Sequence, residues 1–226
     1  MDLLLATGNK KKIAELAALL APLGVHLKTP DDVGGLPEVD EDQPTFAGNA
    51  AKKAVSAAKA SGLWSLADDS GLAVDALGGA PGVHSARWAG THGDDAANNV
   101  KLLAQLAGKA RAERGAHFVC CLALADPDGQ IACEFEGRAH GHILEQARGE
   151  RDFGYDPLFL FTEEGFEVTG KAFAELTPAE KSAVSHRGRA LQALVKQLPE
   201  VMPGMPGSAT SGRDGSSTEA PVGRNS

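Results

Sequence analysis

Two clusters of carboxylates on separate segments of the chain are the first residues that could do chemistry. One lies in the loop 37–44, which begins and ends with Pro and so cannot form a helix face: Glu38, Asp40, Glu41 and Asp42. The other is Asp68-Asp69, which follows an apolar run and is expected at a strand end or a hairpin turn. Oxygen ligands from two segments suit Mg²⁺, which also keeps water and phosphate ligands. The alternatives are a solvated acidic loop and a turn capped by one Asp.

A basic turn near the start of the chain could bind phosphate. Thr7-Gly8-Asn9-Lys10-Lys11-Lys12 joins the first predicted strand to the first predicted helix. A Gly turn there lets backbone N–H groups face an anion at the positive end of the helix, and a Lys one turn later adds a full charge. The turn is shorter than a Walker A loop, and a Gly turn followed by solvated lysines is the alternative.

An aromatic loop and a basic helix face could recognise a nucleobase. In Phe153-Gly154-Tyr155-Asp156 a ring can stack on a base while backbone groups and the carboxylate bind its edge. On the last predicted helix, Lys181, His186 and Arg187 can donate hydrogen bonds to a carbonyl group of a base. The alternatives are a Phe that packs in the core and a solvated helix face.

The elements that must position these residues alternate between strand and helix in the first third, and a β-meander follows. This order predicts an α/β protein with a mixed sheet. The predicted strands are 3–6, 25–28, 64–67, 72–76, 118–125, 131–137 and 158–161. The predicted helices are 10–21, 45–60, one from Asp94 or Asp95 to Leu106, and a single final helix opened by the capping box at Thr177. Residues 1–200 are expected to form one α/β domain, and residues 201–226, rich in Gly, Ser and Pro, a disordered tail.

Composition narrows the functional classes. The net charge of −8 and the aromatic content of 5% disfavour a protein that coats nucleic acid. No apolar run is long enough to span a membrane and no secretory signal precedes the first strand, so a cytoplasmic location is expected. The three Cys lack zinc-ligand spacing and are expected to be reduced and structural.

The order of these motifs resembles that of the inosine triphosphate pyrophosphatase family, also named Ham1-like, and in particular its bacterial branch acting on dITP and XTP. The likeness spans Leu3–Leu198 and includes Leu77–Gly82, Ser85–Arg87, and Ala174–Leu176 leading into Glu180–Ser182. It implies a mixed central β-sheet in two lobes flanked by helices, with the active-site cleft between the lobes. It also implies a Mg²⁺ cofactor, a purine nucleoside triphosphate substrate and a homodimer.

The resemblance implies a role for each candidate residue as well. Asp69 would be a Mg²⁺ ligand and the proton acceptor. Asp40 or Glu41 would complete the metal site; both stay open, because the loop reads Asp-Glu-Asp where a Glu pair is usual. Ser70 would contact the substrate. The triphosphate would be bound by Thr7, Gly8, Asn9, Lys12 and Lys53, and the base and sugar by Phe153, Gly154, Tyr155, Asp156, Lys181, His186 and Arg187.

The residues and the resemblance agree on Mg²⁺-dependent hydrolysis of a phosphoanhydride bond. The resemblance further implies ITP, dITP or XTP as substrates and the monophosphate and pyrophosphate as products. Arg187 is a donor only, so it matches the 6-carbonyl group of hypoxanthine and xanthine and not the amino group of adenine. Arg189 lies outside the matched motif and is expected to tolerate Ala. The alternatives are a Maf-like pyrophosphatase with another base preference and a nucleotide-binding module without catalysis.

Overall fold

The computed structural model describes residues 2–21, 24–150 and 153–202. The expected tail lies outside these ranges apart from its first two residues. Those two belong to the folded part: Val201 ends the last helix, and the Met202 side chain is fully buried in the core. The folded part therefore continues through Met202, two residues beyond the predicted boundary at residue 200.

Six strands and five α-helices are described within these ranges. The strands are β1 Asp2–Leu5, β2 His26–Lys28, β3 Trp64–Val74, β4 Gly115–Ala125, β5 Ile131–Ile143 and β6 Phe159–Phe161. The helices are α1 Lys10–Leu20, α2 Phe46–Ser61, α3 Asp95–Gln105, α4 Pro178–Val184 and α5 His186–Val201. The strand order is β2-β1-β3-β4-β5-β6. The first three strands are parallel and the other pairings antiparallel, so the predicted mixed-sheet α/β fold is confirmed.

The segment around Asp68-Asp69 is neither a strand end nor a turn, so that prediction is wrong. β3 runs without interruption through both carboxylates because its pairing with β4 continues there, Asp68 opposite Leu122 and Asp69 opposite Cys121. Successive side chains of a strand point to opposite faces of the sheet. The two carboxylates therefore serve two different faces, although they are adjacent in the sequence.

The helices on the two faces of the sheet differ in the size of the side chains that they pack against it. The Ala-rich α2 packs on one face, where Ala50, Ala54 and Ala58 lie against the β4 residues Cys121 and Ala123. Small side chains let this helix approach the sheet closely, which brings its polar residues near β3. The opposite face is covered by α1 and α5 through Leu and Cys side chains: Leu16, Leu20, Leu66, Cys120, Leu122, Leu191, Leu194 and Leu198. The expected buried, unpaired thiols are present at Cys120 and Cys121.

The single helix predicted from Thr177 is two helices. Thr177 caps α4 as predicted, but Ser185 has extended backbone angles and caps a new helix, accepting a hydrogen bond from the Gly188 N–H at 3.1 Å. An added Cβ at Gly188 would lie 1.8 Å from the Ser182 carbonyl oxygen, so only Gly fits this break. The break places His186 and Arg187 in the first turn of α5, where both are buried and not on a solvated face.

Gly137 on β5 sets how closely α5 approaches the sheet. An added Cβ there would lie 2.1 Å from the His186 carbonyl oxygen and 2.6 Å from the Ala190 nitrogen. Backbone atoms cannot yield as a flexible side chain does, so Gly137→Ala should cost about 1–3 kcal/mol of stability and lower Tm by several degrees. Thermal unfolding measures this. Gly8→Ala is the matched control, since a Cβ there meets no atom within 4 Å; equal melting temperatures for the two variants would contradict the prediction.

Candidate active site

A cavity of about 790 Å³ opens between the sheet, α2, the acidic loop and the aromatic loop. Its volume is within the range of small-molecule sites. Most of the predicted site residues line it: Thr7, Gly8, Asn9, Lys10, Lys12, Glu41, Lys53, Asp69, Ser70, Phe153, Gly154, Tyr155, Asp156, His186 and Arg187. Asp40 and Lys181 do not line it, and the side chain of Lys11 lies outside the described residues.

Asp69 lies on the face of β3 that packs against α2, and neighbouring groups fix the orientation of its carboxylate. The Asp69 side chain accepts hydrogen bonds from Asn49 Nδ2 and from the Ser70 backbone N–H, each at 3.0 Å. The Lys53 ammonium lies 3.7 Å from Asp69 Oδ1. Burial raises the pKa of the Asp69 carboxyl above its ordinary value, although Lys53 and Asn49 act in the opposite direction. A carboxylate in this setting is oriented and basic.

Lys53 also joins Asp69 to the acidic loop. Its Nζ lies 2.8 Å from Glu41 Oε1, so one ammonium group sits between two carboxylates. Burial opposes the charge of Lys53, but Asp69, Asp68 and Glu41 outweigh it and raise its pKa. Asp40 is exposed, and its backbone carbonyl accepts a hydrogen bond from Lys52. The geometry therefore favours Glu41 over Asp40 as the second metal ligand.

The donor set fits a magnesium ion. A cationic group already occupies the space between Glu41 and Asp69, and both supply hard carboxylate oxygens. Within the described ranges, no group of three or more His, Cys, Asp or Glu side chains is gathered as a metal site. Two carboxylates leave further positions to water and to substrate phosphates, as Mg²⁺ sites at phosphates commonly do.

The opposite face of β3 carries the second carboxylate. The Asp68 side chain is fully buried, 2.7 Å from Lys12 Nζ and 3.6 Å from an Arg187 nitrogen. Burial opposes its ionisation, but Lys12 and Arg187 outweigh it and hold the pKa of Asp68 well below the ordinary value. The same Arg187 group donates a hydrogen bond to Ser70 Oγ at 3.1 Å. Asp68 thus links the basic turn to the first turn of α5.

The basic turn has the local structure that the sequence predicts. The Asn9 N–H donates to Thr7 Oγ1 at 3.2 Å, and Asn9 Oδ1 accepts from the Lys12 N–H at 3.3 Å, which starts α1. The space in front of Gly8 is open, since an added Cβ would meet nothing within 4 Å. The turn and the positive N-terminal end of α1 therefore border the cavity, which Thr7, Gly8, Asn9 and Lys10 line.

The aromatic loop divides between the cavity and the core. Phe153 is half-buried at the cavity wall, whereas Tyr155 is buried and donates a hydrogen bond from its hydroxyl to the Ser85 carbonyl at 2.9 Å. Lys181 pairs with Asp156 and lies 5.2 Å from the centroid of the Phe153 ring. Phe153 is thus the ring placed to stack on a ligand. Lys181 contacts Phe153 and Asp156 without lining the cavity itself.

His186 is a neutral group in the cavity wall. Its ring stacks on Phe118, with centroids 4.7 Å apart and an interplanar angle of 12°. Burial, reinforced by Arg187 and Lys181, lowers the pKa of His186 well below the ordinary value. The imidazole is therefore uncharged at neutral pH and offers one donor and one acceptor.

Sequence reasoning missed three residues that build the site. Asn49 holds Asp69, and it precedes Lys53 by one helical turn, a spacing that places both on one face of α2. Phe118 and Asp95 line the cavity from β4 and α3. Nothing in the local sequence separates Phe118 from an ordinary core residue, because its role depends on the partner that α5 brings to it.

Comparison with known proteins identifies the family of this chain. Residues 3–197 match the sequence profile of the Ham1 family. The chain belongs to the Ham1 family. The resemblance identified from the order of the motifs is confirmed.

Individual Ham1 relatives extend the match over nearly their whole length. A Desulforamulus reducens protein named dITP/XTP pyrophosphatase is 50% identical over 198 residues, covering 88% of this chain and 96% of that protein. A protein of the same name from Corynebacterium efficiens is 50% identical over 205 residues, 89% of this chain and 99% of its own. The solved structure of a Ham1 protein from Coxiella burnetii gives a TM-score of 0.79 at 38% identity, covering 88% of this chain and 99% of that one.

Among the described helices, none has both the length and the apolar character that crossing a membrane requires.

Proposed function

We propose that this Ham1-family chain hydrolyses the non-standard purine nucleotides ITP, dITP and XTP to their monophosphates and pyrophosphate, with Mg²⁺, and so cleanses the nucleotide pool. At the coarser level, its relatives are named pyrophosphatases, and on that ground the chain is a nucleoside-triphosphate pyrophosphatase, a hydrolase of phosphoanhydride bonds. The observation that carries the proposal is the Glu41–Lys53–Asp69 arrangement, which shares one cavity with the basic turn.

Asp69 is the residue suited to move the proton. A Mg²⁺ ion held by Asp69 and Glu41 would neutralise phosphate charge and lower the pKa of a nearby water. The water oxygen bonds to the α-phosphorus while the bond from that phosphorus to the bridging oxygen breaks. Pyrophosphate leaves with the electron pair, and the Asp69 carboxylate, fixed by Asn49 and the Ser70 N–H, accepts the water proton.

The charges needed for the leaving group lie on both sides of β3. Lys53 approaches from α2, and Lys12 from the first turn of α1. Both line the cavity, together with the Thr7–Asn9 backbone. Fixed positive groups that face the oxygens where charge develops stabilise the transition state without reorganisation.

Base selection follows from the hydrogen-bond donors in the first turn of α5. The Arg187 guanidinium is fixed by Asp68 and Ser70, and it can only donate hydrogen bonds. It matches the 6-carbonyl group of hypoxanthine and xanthine, whereas an adenine amino group would face another donor. A site built in this way rejects the mismatched edge strongly, because its buried donor is left unpaired.

A panel of nucleotides assayed for pyrophosphate release tests the proposal. We expect ITP, dITP and XTP to exceed ATP by at least about 10²-fold in kcat/KM, and chelation of divalent cations to remove the activity. Release of orthophosphate, or a preference for pyrimidine nucleotides, would instead indicate the Maf-like alternative. Binding without any release would indicate a module that lacks catalysis. The homodimer that the resemblance implies and the cytoplasmic location expected from the sequence stay predictions.

A further inference from the structure

One turn of α3 holds a single residue of the aromatic loop from both sides. Asp95 Oδ2 accepts a hydrogen bond from the Gly154 N–H at 2.8 Å, and Asn99 Nδ2 donates to the Gly154 carbonyl at 2.9 Å. The two side chains are four residues apart and so share one face of the helix. Gly154 has φ of +57°, in the left-handed region that favours Gly.

The helix that makes these contacts is itself firmly placed. Asn98 accepts from the Ala89 N–H at 2.7 Å, and Leu102 is fully buried in the core. The downstream half of the loop has other supports, since Tyr155 is bonded to Ser85 and Asp156 to Lys181. Of the loop residues that the structure describes, Gly154 is the one bonded to both Asp95 and Asn99. It adjoins Phe153, whose carbonyl accepts from the Asp156 N–H at 3.1 Å and whose ring lies 5.2 Å from Lys181 Nζ.

We propose that Asp95 and Asn99 are positioning residues for base selection: they fix the Gly154 peptide groups and thereby the Phe153 ring against the base. The inference rests on the proposed function, because it assigns to α3 the placement of the ring that would stack on the purine. A displacement of about 1 Å in a binding group can change a rate by as much as 10²-fold. Loss of either hydrogen bond therefore acts on substrate choice more than on proton transfer at Asp69.

Asp95 accepts a hydrogen bond and Asn99 donates one, so conservative substitutions should have different effects at the two positions. Asp95→Asn keeps an oxygen that can accept from the Gly154 N–H, so it should resemble the parent. Asn99→Asp is nearly isosteric but removes the donor and places a carboxylate against the Gly154 carbonyl oxygen. Asp95→Ala removes the acceptor altogether. Tolerance at one position and loss at the other is not expected from a residue that merely completes a helix.

A matched control separates positioning from helix stability. Asp94 is the N-cap of α3, accepting from the Ala97 N–H at 3.0 Å, and it neither lines the cavity nor contacts the loop. Asp94→Ala should weaken the start of the helix and lower Tm. It should leave substrate selection unchanged, whereas Asp95 variants that kept selection would remove the proposed role.

The first measurement is hydrogen exchange of the 153–160 segment in the nucleotide-free full chain. Exchange should be faster in Asp95→Ala and Asn99→Asp than in the parent, and unchanged in Asp95→Asn and Asp94→Ala. This readout does not depend on turnover. Unchanged exchange in Asp95→Ala and Asn99→Asp would overturn the inference whatever the enzyme hydrolyses.

The second measurement is the ratio of kcat/KM for ITP to that for ATP. We expect Asp95→Ala and Asn99→Asp to lower this ratio about tenfold, mainly through KM for ITP, as for one lost hydrogen bond. If Asp95→Asn lost as much as Asp95→Ala, the carboxylate charge and not the bond would matter, and the inference would fail. If the parent itself did not prefer ITP, the proposed function would fail first, and the exchange data would still decide whether α3 holds the loop.

Discussion

Replacing Asp69 by Asn should remove nearly all turnover while leaving the fold intact. The amide keeps an oxygen to accept from Asn49 or the Ser70 N–H, so the local structure has little reason to change. It cannot accept the proton of the attacking water, and it brings no negative charge to a metal ion beside Glu41. Removal of a positioned general base costs about 10²-fold or more, and loss of a metal ligand adds to this.

The measurement is kcat/KM for ITP together with the melting temperature. Asp42→Asn is the matched control: the substitution is the same, but that carboxylate is exposed and pairs with Lys52 outside the cavity. It should retain activity close to that of the parent. An Asp69→Asn enzyme within twofold of the parent would refute the role assigned to the carboxylate.

Local sequence predicted most of the residues that line the cavity but not the backbone conformation around Asp69. The Asp68–Gly71 segment has the composition of a turn, since Asp, Ser and Gly all favour turns. Ten consecutive residue pairs join β3 to β4 from Ser65 to Val74, and this long-range pairing overrides the local preference. The strand conformation is what directs the two carboxylates to opposite faces of the sheet.

The last helices show the same limit. Apolar residues at helical spacing from Val184 to Leu198 predicted one helix. Those residues do pack in the core, but they belong to two helices. Ser185 and Gly188 are the local signal of a break, because Ser is a favoured N-cap and Gly permits close backbone contact. What the stripe could not show is that β5 lies directly beneath, at Gly137, and fixes where α5 begins.

Contacts between distant segments were beyond sequence reasoning altogether. Asp95 and Gly154 are separated by 59 positions, and Asp68 on the central strand β3 pairs with Arg187 on the last helix, α5. Arg189 illustrates an error of the same origin. It was expected to tolerate Ala, but it forms a two-point ion pair with Glu163 and donates to the Arg138 carbonyl. It holds β5 and the segment after β6 together and cannot serve as an inert control.

Arg187→Ala should lower the ITP-to-ATP ratio of kcat/KM by about 10- to 150-fold, the range for a charge-assisted hydrogen bond of about 1.5–3 kcal/mol. ATP carries an amino group at position 6 and so does not make the hydrogen bond that the substitution removes. The substitution also removes a cation 3.6 Å from the buried Asp68, so every substrate should lose some activity and the protein some stability. The ratio is therefore the informative quantity, and the absolute rate is not.

Arg187→Lys separates these two effects. A lysine retains a charge for Asp68 but lacks the planar fork that can bind Ser70 and a base carbonyl together, so it should recover more stability than selectivity. Arg111→Ala, at an exposed position in a short turn, controls for loss of an arginine as such. If Arg187→Ala slowed all nucleotides equally, the guanidinium would serve Asp68 and the phosphates alone. Selection would then have to come from the Phe153–Asp156 loop and the neutral ring of His186, and the variants of Asp95 and Asn99 would become the decisive measurement of it.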